Sequence, residues 1–175
     1  MNISTATQDD IEIMVKLVNS AYRGDFSRKG WTTEADLLAG TRVDEETLAE
    51  MMRGPKAAFL KYTDDAGRLC GCVYLQQQQK SMYLGMLTVS PELQDQGIGK
   101  KLMKEAEHYA LQRQCESIVM TVISARDVLI KWYERHGYQK TGETRPFPTE
   151  TKFGVAQQPL ELIVLEKKLT ATPVT

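Results

Sequence analysis

The chain has 175 residues, and its 22 lysines and arginines against 23 aspartates and glutamates leave a net charge of −1. This length is typical of one domain, which we place over residues 1–175 with its core over residues 2–168, and the 42% of hydrophobic residues exclude a wholly disordered chain. The near-zero charge also excludes the basic field of a general nucleic-acid binder, although a local basic patch for one anionic ligand stays open.

The termini, cysteines and histidines together predict a cytoplasmic protein without metal. The N-terminal segment lacks the basic and apolar regions of a secretory signal, and the apolar runs are far shorter than the roughly 18 residues of a membrane span. Cys70, Cys72 and Cys115 form no C-x-x-C pair, so we expect free thiols. His108 and His136 lack the spacing of metal ligands. We expect no membrane or nucleic-acid partner, and a homodimer stays open.

The hydrophobic pattern changes its period several times along the chain. We predict strands over residues 2–6, 57–62, 69–77, 82–89, 117–123, 138–143 and 160–168. We predict helices over residues 7–24, 44–54, 98–110 and 127–136, with Gly137 as a C-terminal cap. The sum is a mixed α+β domain on a mostly antiparallel sheet, followed by a tail, Thr170–Thr175, that we expect to fray.

The segment 87–102 carries the strongest chemical signal. A predicted strand ends there, a loop follows, and Gly97 and Gly99 open an amphipathic helix next to Lys100 and Lys101. Glycines let a backbone approach a ligand closely, and the free N–H groups at a helix start favour a phosphate. The same glycines could also simply begin a tightly packed helix.

Two familiar phosphate motifs do not fit this segment. A P-loop needs glycine where the chain has Gln94, and serine or threonine where it has Lys101. A Rossmann fingerprint needs a third glycine where the chain has Leu102. The pattern that remains, Gln94-x-x-Gly97-x-Gly99, resembles the coenzyme A signature Q/R-x-x-G-x-G/A of the GNAT superfamily of N-acetyltransferases.

A second segment strengthens this resemblance. The spacing Trp132-Tyr133-x-x-x-Gly137-Tyr138 is similar to the GNAT helix in which an aromatic–tyrosine pair precedes Gly-Phe or Gly-Tyr. The resemblance covers residues 2–168. It implies the GNAT acyl-CoA N-acyltransferase fold and acetyl-CoA as co-substrate, with no metal.

The resemblance also implies which residues bind the coenzyme. Loop amides hold the pyrophosphate in this family, and the strand before the loop pairs with the pantetheine arm. The residues expected to bind coenzyme A are therefore Leu87, Thr88, Val89, Gln94, Asp95, Gln96, Gly97, Ile98, Gly99, Lys100, Ser124, Arg126 and Tyr133. The chain departs from the family at Arg126, where many members carry asparagine. We expect Arg126 to contact a phosphate or an acidic acceptor instead.

Acetyl transfer to an amine needs a neutral amine, a donor for the developing oxyanion, and a proton for the departing thiolate. By resemblance, Tyr133 is the general acid, unless it is only a tyrosine packed on the sheet. A backbone N–H of Leu87 or Thr88 would serve the oxyanion. The family's glutamate base has no counterpart near Tyr83, which leaves Glu34 or an ordered water as candidates.

The segment that borders the acceptor site in this family supplies most of the expected substrate-binding residues, which are Tyr22, Arg23, Trp31, Glu34 and Tyr83. An aromatic ring beside a cation suits a carboxylate-bearing acceptor, whereas packing of Trp31 and a solvated Glu34 are the plainer alternatives. We predict transfer to the primary amine of a small or amino-acid-like molecule. A peptide N-terminus or lysine, a tRNA-acetylating enzyme, and a non-catalytic acyl-CoA sensor remain alternatives.

Overall fold

The computed structural model describes residues 2–148 and 154–170, so most of the tail that was expected to fray lies outside the described residues. Within these ranges the helices are α1 (Ile11–Tyr22), α2 (Glu45–Met52), α3 (Ile98–Gln112) and α4 (Asp127–Arg135). The strands are β1 (Asn2–Thr5), β2 (Leu38–Ala39), β3 (Ala57–Thr63), β4 (Leu69–Gln78), β5 (Ser81–Val89), β6 (Ser117–Ile123), β7 (Gln139–Pro146), β8 (Val155–Ala156) and β9 (Glu161–Lys168).

Seven of these strands form one sheet in the order β1-β3-β4-β5-β6-β9-β7. The pairs are antiparallel except for β5 and β6, which run parallel. The predicted mixed fold with a mostly antiparallel sheet is therefore confirmed. The short strands β2 and β8 pair with each other and were not predicted, because two residues are too few to show a period.

The helices cover both faces of this sheet. Side chains of α3 and α4, such as Leu102 and Ile130, pack into one buried cluster, while side chains of α1 and α2, such as Met14 and Leu48, pack into another. Helices on both faces hold the central strands between two apolar layers, which makes β5 and β6 a rigid support for side chains at their ends. In the described part of the chain, no helix combines the length and the apolar character needed to cross a membrane.

The two central strands separate partway along their length. Pairing between β5 and β6 runs only from Ser81↔Ser117 to Tyr83↔Val119, although both strands continue well beyond that point. Because hydrogen bonds no longer join the strands after Tyr83, a cleft opens between their C-terminal halves. Clefts outside the carboxyl ends of parallel strands are common places for ligands.

A β-bulge in β5 lies beside this cleft. Cys72 pairs with Thr88 and Tyr74 pairs with Gly85, so Met86 and Leu87 together face a single residue of β4. Met86 takes a left-handed backbone conformation with φ of 47°, and its carbonyl accepts a hydrogen bond of 2.9 Å from the Thr88 hydroxyl. A bulge of this kind turns the backbone out of the regular ladder, and here the residues that it redirects border the cleft.

Candidate active site

Two cavities lie along the cleft between β5 and β6. The glycine-loop cavity, about 410 Å³, is bounded by the end of β5, the loop from Gln94 to Lys100, and one face of α4. The strand cavity, about 400 Å³, is bounded by the separated parts of β5 and β6 and by side chains of the segment that follows α1. Both cavities share a wall formed by Tyr22, Leu87, Arg126, Leu129 and Tyr133.

The glycine loop supplies backbone groups to the first cavity. Gly97 precedes α3 with φ of 84°, and a Cβ atom there would meet no other atom within 4 Å. The backbone conformation, rather than lack of space, therefore favours glycine at this position. The amides of the first turn of α3 have no partner within the helix and, with the helix dipole, favour an anion. Lys100, Arg126 and Arg135 add positive charge to this cavity, and Asp95 adds one negative charge.

Gln94, the first residue of the predicted signature, connects two parts of the site. Its Nε2 donates to the Val89 carbonyl oxygen at 3.1 Å, and its Oε1 accepts from the Trp31 backbone N–H at 3.0 Å. The side-chain amide lies so close to Gly30 that a Cβ atom at Gly30 would overlap it. Gln94 thus holds the segment carrying Trp31 against the end of β5.

Aromatic rings form one side of the glycine-loop cavity. The Trp132 ring lies 6.1 Å from the Trp31 ring and 4.4 Å from the His136 ring, measured between centroids. His136 Nδ1 lies 2.7 Å from the carbonyl oxygen of Trp132. Trp132, which could have faced only the core, is half-buried and lines the cavity.

Tyr133 is buried in the wall between the two cavities. Its ring packs edge-on against the rings of Trp132 and Tyr138, at centroid distances of 5.2 and 5.8 Å. Burial raises the pKa of the Tyr133 phenol above its usual value of 10. The hydroxyl therefore keeps its proton at neutral pH and can donate it to an atom that develops negative charge.

Tyr22 fixes the other side of this wall. Its hydroxyl donates a hydrogen bond of 2.9 Å to the carbonyl oxygen of Leu87, one of the two bulge residues. Burial raises the pKa of Tyr22 to about 12, so the donor stays protonated at neutral pH. Arg42 and Arg126 lie near the Tyr22 ring, with their guanidinium carbons 5.6 and 5.9 Å from its centroid.

Glu34 lies between two arginines in a buried ion-pair network. Its Oε1 accepts from Arg23 Nε at 3.0 Å, and its Oε2 accepts from Arg126 Nη1 at 3.2 Å. Arg126 Nη2 also donates to the Thr32 hydroxyl at 3.1 Å, and Arg23 Nη1 donates to the Thr41 carbonyl at 3.3 Å. The three charged side chains are only 5 to 8% exposed. The alternative of a solvated Glu34 is therefore wrong. In this structure the acidic group that contacts Arg126 is Glu34 of the same chain.

Most residues predicted to bind coenzyme line the glycine-loop cavity; they are Leu87, Thr88, Val89, Gln94, Asp95, Gly97, Ile98, Gly99, Lys100, Arg126 and Tyr133. Two others, Gln96 and Ser124, are not part of either cavity wall within the described residues. The backbone N–H of Ser124 donates to the Glu161 carbonyl at 2.8 Å. The backbone of Ser124 thus extends the pairing of β6 with β9, and the binding of coenzyme A by Ser124 stays a prediction.

The predicted acceptor residues divide between the two cavities. Tyr22, Arg23, Glu34 and Tyr83 line the strand cavity, whereas Trp31 lines the glycine-loop cavity. Sequence reasoning missed Arg42, which lines the strand cavity. It belongs to no motif and stands just before the cap of a short helix. Its only signal in the sequence is a cation close to a predicted acceptor segment.

The described residues contain no group of three or more histidine, cysteine, aspartate or glutamate side chains placed to hold a metal ion.

The comparisons with known proteins define the class. A family profile described as an acetyltransferase (GNAT) domain matches residues 23–148, which is most of the chain. The chain therefore belongs to the GNAT acetyltransferase family, as the resemblance of its two motifs predicted. Membership makes it an acetyl-CoA-dependent N-acetyltransferase. A search of curated protein sequences finds no significant match.

Solved structures share the fold at low sequence identity. The ribosomal-protein-S18-alanine N-acetyltransferase from Escherichia coli is 15% identical with a TM-score of 0.71, covering 98% of this chain and 96% of that one. The IAA acetyltransferase from Bacillus cereus is 16% identical with a TM-score of 0.65, covering 96% and 99%. A spermidine N-acetyltransferase chimera from Vibrio cholerae and hSSAT is 14% identical with a TM-score of 0.68, covering 96% of each chain. Because the acceptors in these names differ, the shared fold does not identify the acceptor of this chain.

Proposed function

We propose that this protein transfers the acetyl group of acetyl-CoA directly to the primary amine of a small, amino-acid-like molecule. The observation that carries the proposal is the position of Tyr133. Its buried side chain belongs to the wall shared by a cavity built around the coenzyme A signature and a second cavity without that signature. A proton donor at this junction can reach a bond that is exchanged between ligands in the two cavities.

The glycine-loop cavity suits coenzyme A. Unpaired amides at the start of α3, together with Lys100 and Arg135, would hold the pyrophosphate, because both the helix end and the cations favour negative charge. The backbone at Leu87–Val89 borders the same cavity and would pair with the pantetheine arm. Acetyl-CoA supplies the thioester.

Tyr133 would act when the thioester bond breaks. The acceptor nitrogen forms a bond to the acetyl carbon while the carbon–sulfur bond breaks, and the sulfur leaves with the bonding electrons. Tyr133 donates its proton to this sulfur and regains one from solvent. In water a thiol has a pKa of about 8.5, below that of a phenol, so this transfer would be uphill for fully solvated groups. Burial raises the pKa of Tyr133, and burial of the departing sulfur in the same site would raise the pKa of the thiol as well and reduce the difference. A backbone N–H at Leu87 or Thr88, next to the β5 bulge, would stabilise the developing oxyanion.

The acceptor amine would lose its proton to water. Of the described residues that line the strand cavity, Glu34 is the one carboxylate, and both its oxygens already accept from arginines. Uptake of a proton by Glu34 would weaken two buried charge-assisted hydrogen bonds, which disfavours it as a general base. We therefore propose that Glu34 positions Arg23 and Arg126 and that ordered water, the other candidate base, carries the proton.

The size of the strand cavity favours a small acceptor. A volume of about 400 Å³ is at the lower end of ordinary ligand pockets, and its walls combine arginines with aromatic rings. Such walls suit a compact molecule that carries both an amine and polar groups. A peptide N-terminus or a lysine side chain would have to enter with a longer chain attached. A cytoplasmic location and a homodimer remain predictions.

The proposed function is tested by measuring whether an amine causes acetyl-CoA to release free thiol. Purified protein is incubated with acetyl-CoA and a panel of amines that includes amino acids, aliphatic amines, a polyamine and a short peptide, and free thiol is followed. We expect thiol release that depends on a small amine, with one N-acetylated product for each thiol. Tight binding of acetyl-CoA without amine-dependent release would contradict the proposal and support an acyl-CoA sensor. Release with the peptide alone would contradict the small-molecule acceptor.

A further inference from the structure

The charge of the strand cavity differs from what a cationic acceptor requires. Among the described residues of its wall, three arginines, Arg23, Arg42 and Arg126, face one carboxylate, Glu34. Charges in a partly buried cavity interact more strongly than in water, so this excess of positive charge repels a second ammonium group. A polyamine would therefore enter at a cost, whereas an anion would gain.

The three arginines do not have equivalent roles. Arg23 and Arg126 both donate to Glu34 within the buried network, so their guanidinium groups are already paired. Arg42 is half-buried, and in residues 2–148 and 154–170 no carboxylate forms an ion pair with it. Arg23 and Arg126 share one carboxylate, so their network keeps one positive charge, but a ligand could pair with the Arg42 guanidinium without displacing a carboxylate.

The backbone around Arg42 is fixed in place. Asn19 of α1 accepts from the backbone N–H groups of Arg42 and Val43 at 2.8 and 3.0 Å, and its own amide donates to the Val43 carbonyl at 2.9 Å. The guanidinium carbon lies 5.6 Å from the centre of the Tyr22 ring, and within residues 2–148 and 154–170 no hydrogen bond or ion pair involves the side-chain nitrogens of Arg42. A guanidinium edge is suited to hold a carboxylate or a similar oxyanion through two parallel hydrogen bonds.

Tyr22 connects this cation to the reaction centre. Its ring lies beside Arg42, and its hydroxyl bonds to Leu87 in the wall that the two cavities share. One tyrosine side chain thus separates the cation from the place where the acceptor amine must meet the thioester. That short separation fits an amine and an anion carried on the same small molecule.

We infer that Arg42 binds the anionic group of the acceptor and that the enzyme selects amines that carry a carboxylate or a comparable oxyanion. The inference rests on the proposed acetyl transfer and adds the substrate class and the residue that selects it. Arg23 and Arg126, held by Glu34, form the rigid side of the same cavity.

The test uses pairs of acceptors that differ in the anion, and kcat/KM is calculated per neutral amine because the loss of the carboxylate also lowers the pKa of the amine. Each of several amino acids is compared with its own carboxamide, and spermidine serves as a cationic acceptor. For the wild-type protein we expect kcat/KM to favour the carboxylate about 10- to 100-fold over the carboxamide, as for the loss of one charge-assisted hydrogen-bonding pair. In Arg42→Gln this preference should vanish, because KM for the carboxylate rises much more than KM for the carboxamide. Arg42→Lys should keep part of it, because the charge remains and the paired hydrogen bonds do not.

Arg68→Gln is the matched control. Arg68 is an exposed arginine paired with Asp64, and it is not part of either cavity wall, so its replacement should leave the preference intact. Equal rates on carboxylates and carboxamides in the wild type, or an equal fall on both in Arg42→Gln, would overturn the inference.

Ligand binding separates this inference from the proposed function. The same amino acids are titrated calorimetrically into the coenzyme A complex of the wild type and of Arg42→Gln. Binding that needs Arg42, in a protein that acetylates no amine, would refute the proposed function and uphold the anion site. If amines are acetylated and Arg42→Gln changes neither rates nor binding, the proposed function is upheld and the anion site is refuted. Absence of both turnover and amino-acid binding would refute both.

Discussion

The two cavities of this enzyme differ in how far backbone groups and side chains form their walls. The glycine-loop cavity relies on backbone: the first turn of α3, the left-handed Gly97 and the end of β5. The strand cavity relies on side chains that come from distant positions, with Arg23, Glu34, Arg42 and Arg126 brought together by the fold. A backbone site can serve many relatives without change, whereas a side-chain site can be rebuilt by single substitutions. In this chain the glycine-loop cavity therefore depends more on local backbone geometry, and the strand cavity more on contacts between distant residues.

Replacing Tyr133 tests the junction between the two cavities and should have the largest effect. In Tyr133→Phe we expect kcat to fall about 10²- to 10⁴-fold, because the departing sulfur loses its proton donor, while affinity for coenzyme A stays the same. Stopped-flow thiol release and coenzyme titration measure the two quantities. Tyr138→Phe is the control, because that tyrosine is also buried. Within the described residues its hydroxyl has no hydrogen-bond partner and it lines neither cavity. If Tyr133→Phe keeps full turnover, Tyr133 is not the acid.

Replacing Glu34 tests the side-chain construction of the strand cavity. Glu34→Gln leaves two buried guanidinium groups without their shared carboxylate, so we expect unfolding to become easier by about 3–5 kcal/mol. Urea denaturation measures this loss. Glu12→Gln is the control, because Glu12 pairs with Lys16 on the exposed face of α1, and its loss should cost less than about 1 kcal/mol. A Glu34→Gln protein of normal stability whose turnover collapses would instead identify Glu34 as the general base.

Replacing Gly97 tests the backbone construction of the glycine-loop cavity. Gly97→Val forces a β-branched residue into the left-handed region, at a cost of about 1–2 kcal/mol, and we expect the loop to relax and coenzyme A affinity to fall about tenfold. Gly67→Val is the matched control. Gly67 has φ of 80° and, like Gly97, open space around its Cβ position, but it belongs to the turn between β3 and β4. The Gly67→Val protein should lose a similar amount of stability and keep its affinity for coenzyme A. If Gly97→Val binds coenzyme A as tightly as the wild type, the assignment of the glycine loop to coenzyme binding is wrong.

The dependence of kcat/KM on pH gives the smallest expected effect and shows whether the strand cavity contains a general base. If water takes the proton from the acceptor, kcat/KM should rise up to tenfold per pH unit and level off at the pKa of the amine. Two acceptors whose amine pKa values differ by one unit should therefore give profiles displaced by one unit. Burial raises the pKa of Tyr133 and raises that of Tyr22 to about 12, so both phenols stay protonated and no fall is expected below about pH 10. An inflection near pH 6 to 7 shared by both acceptors would reveal an enzymatic base.

The difference between the cavities also decides what the sequence could predict. The signature Gln94-x-x-Gly97-x-Gly99 and the period changes around it depend on local geometry, so the loop, the fold class and the family followed from the residues alone. The role of Gln94 did not follow, because its contact with the Trp31 backbone joins positions 63 residues apart. Ser124 was placed in the site by its neighbourhood in the chain, yet its backbone extends a strand pair.

The acceptor side was the least predictable part. The ion pair of Glu34 with Arg126 spans 92 positions, and no local pattern announces it. The sequence alone therefore allows a free carboxylate at Glu34 and does not single out Arg42. Tyr133 is the exception on this side, since its place in the aromatic pair on α4 depends on helix spacing that the sequence shows directly.

A crystal structure of the protein with coenzyme A would test the proposed site most directly. We expect the pyrophosphate against the amides at Gly97–Lys100, the pantetheine arm along Leu87–Val89, and the sulfur within hydrogen-bonding distance of the Tyr133 hydroxyl. We also expect the strand cavity to stay open to the acceptor. A coenzyme bound outside the glycine-loop cavity, or a sulfur beyond the reach of Tyr133, would contradict the proposed site.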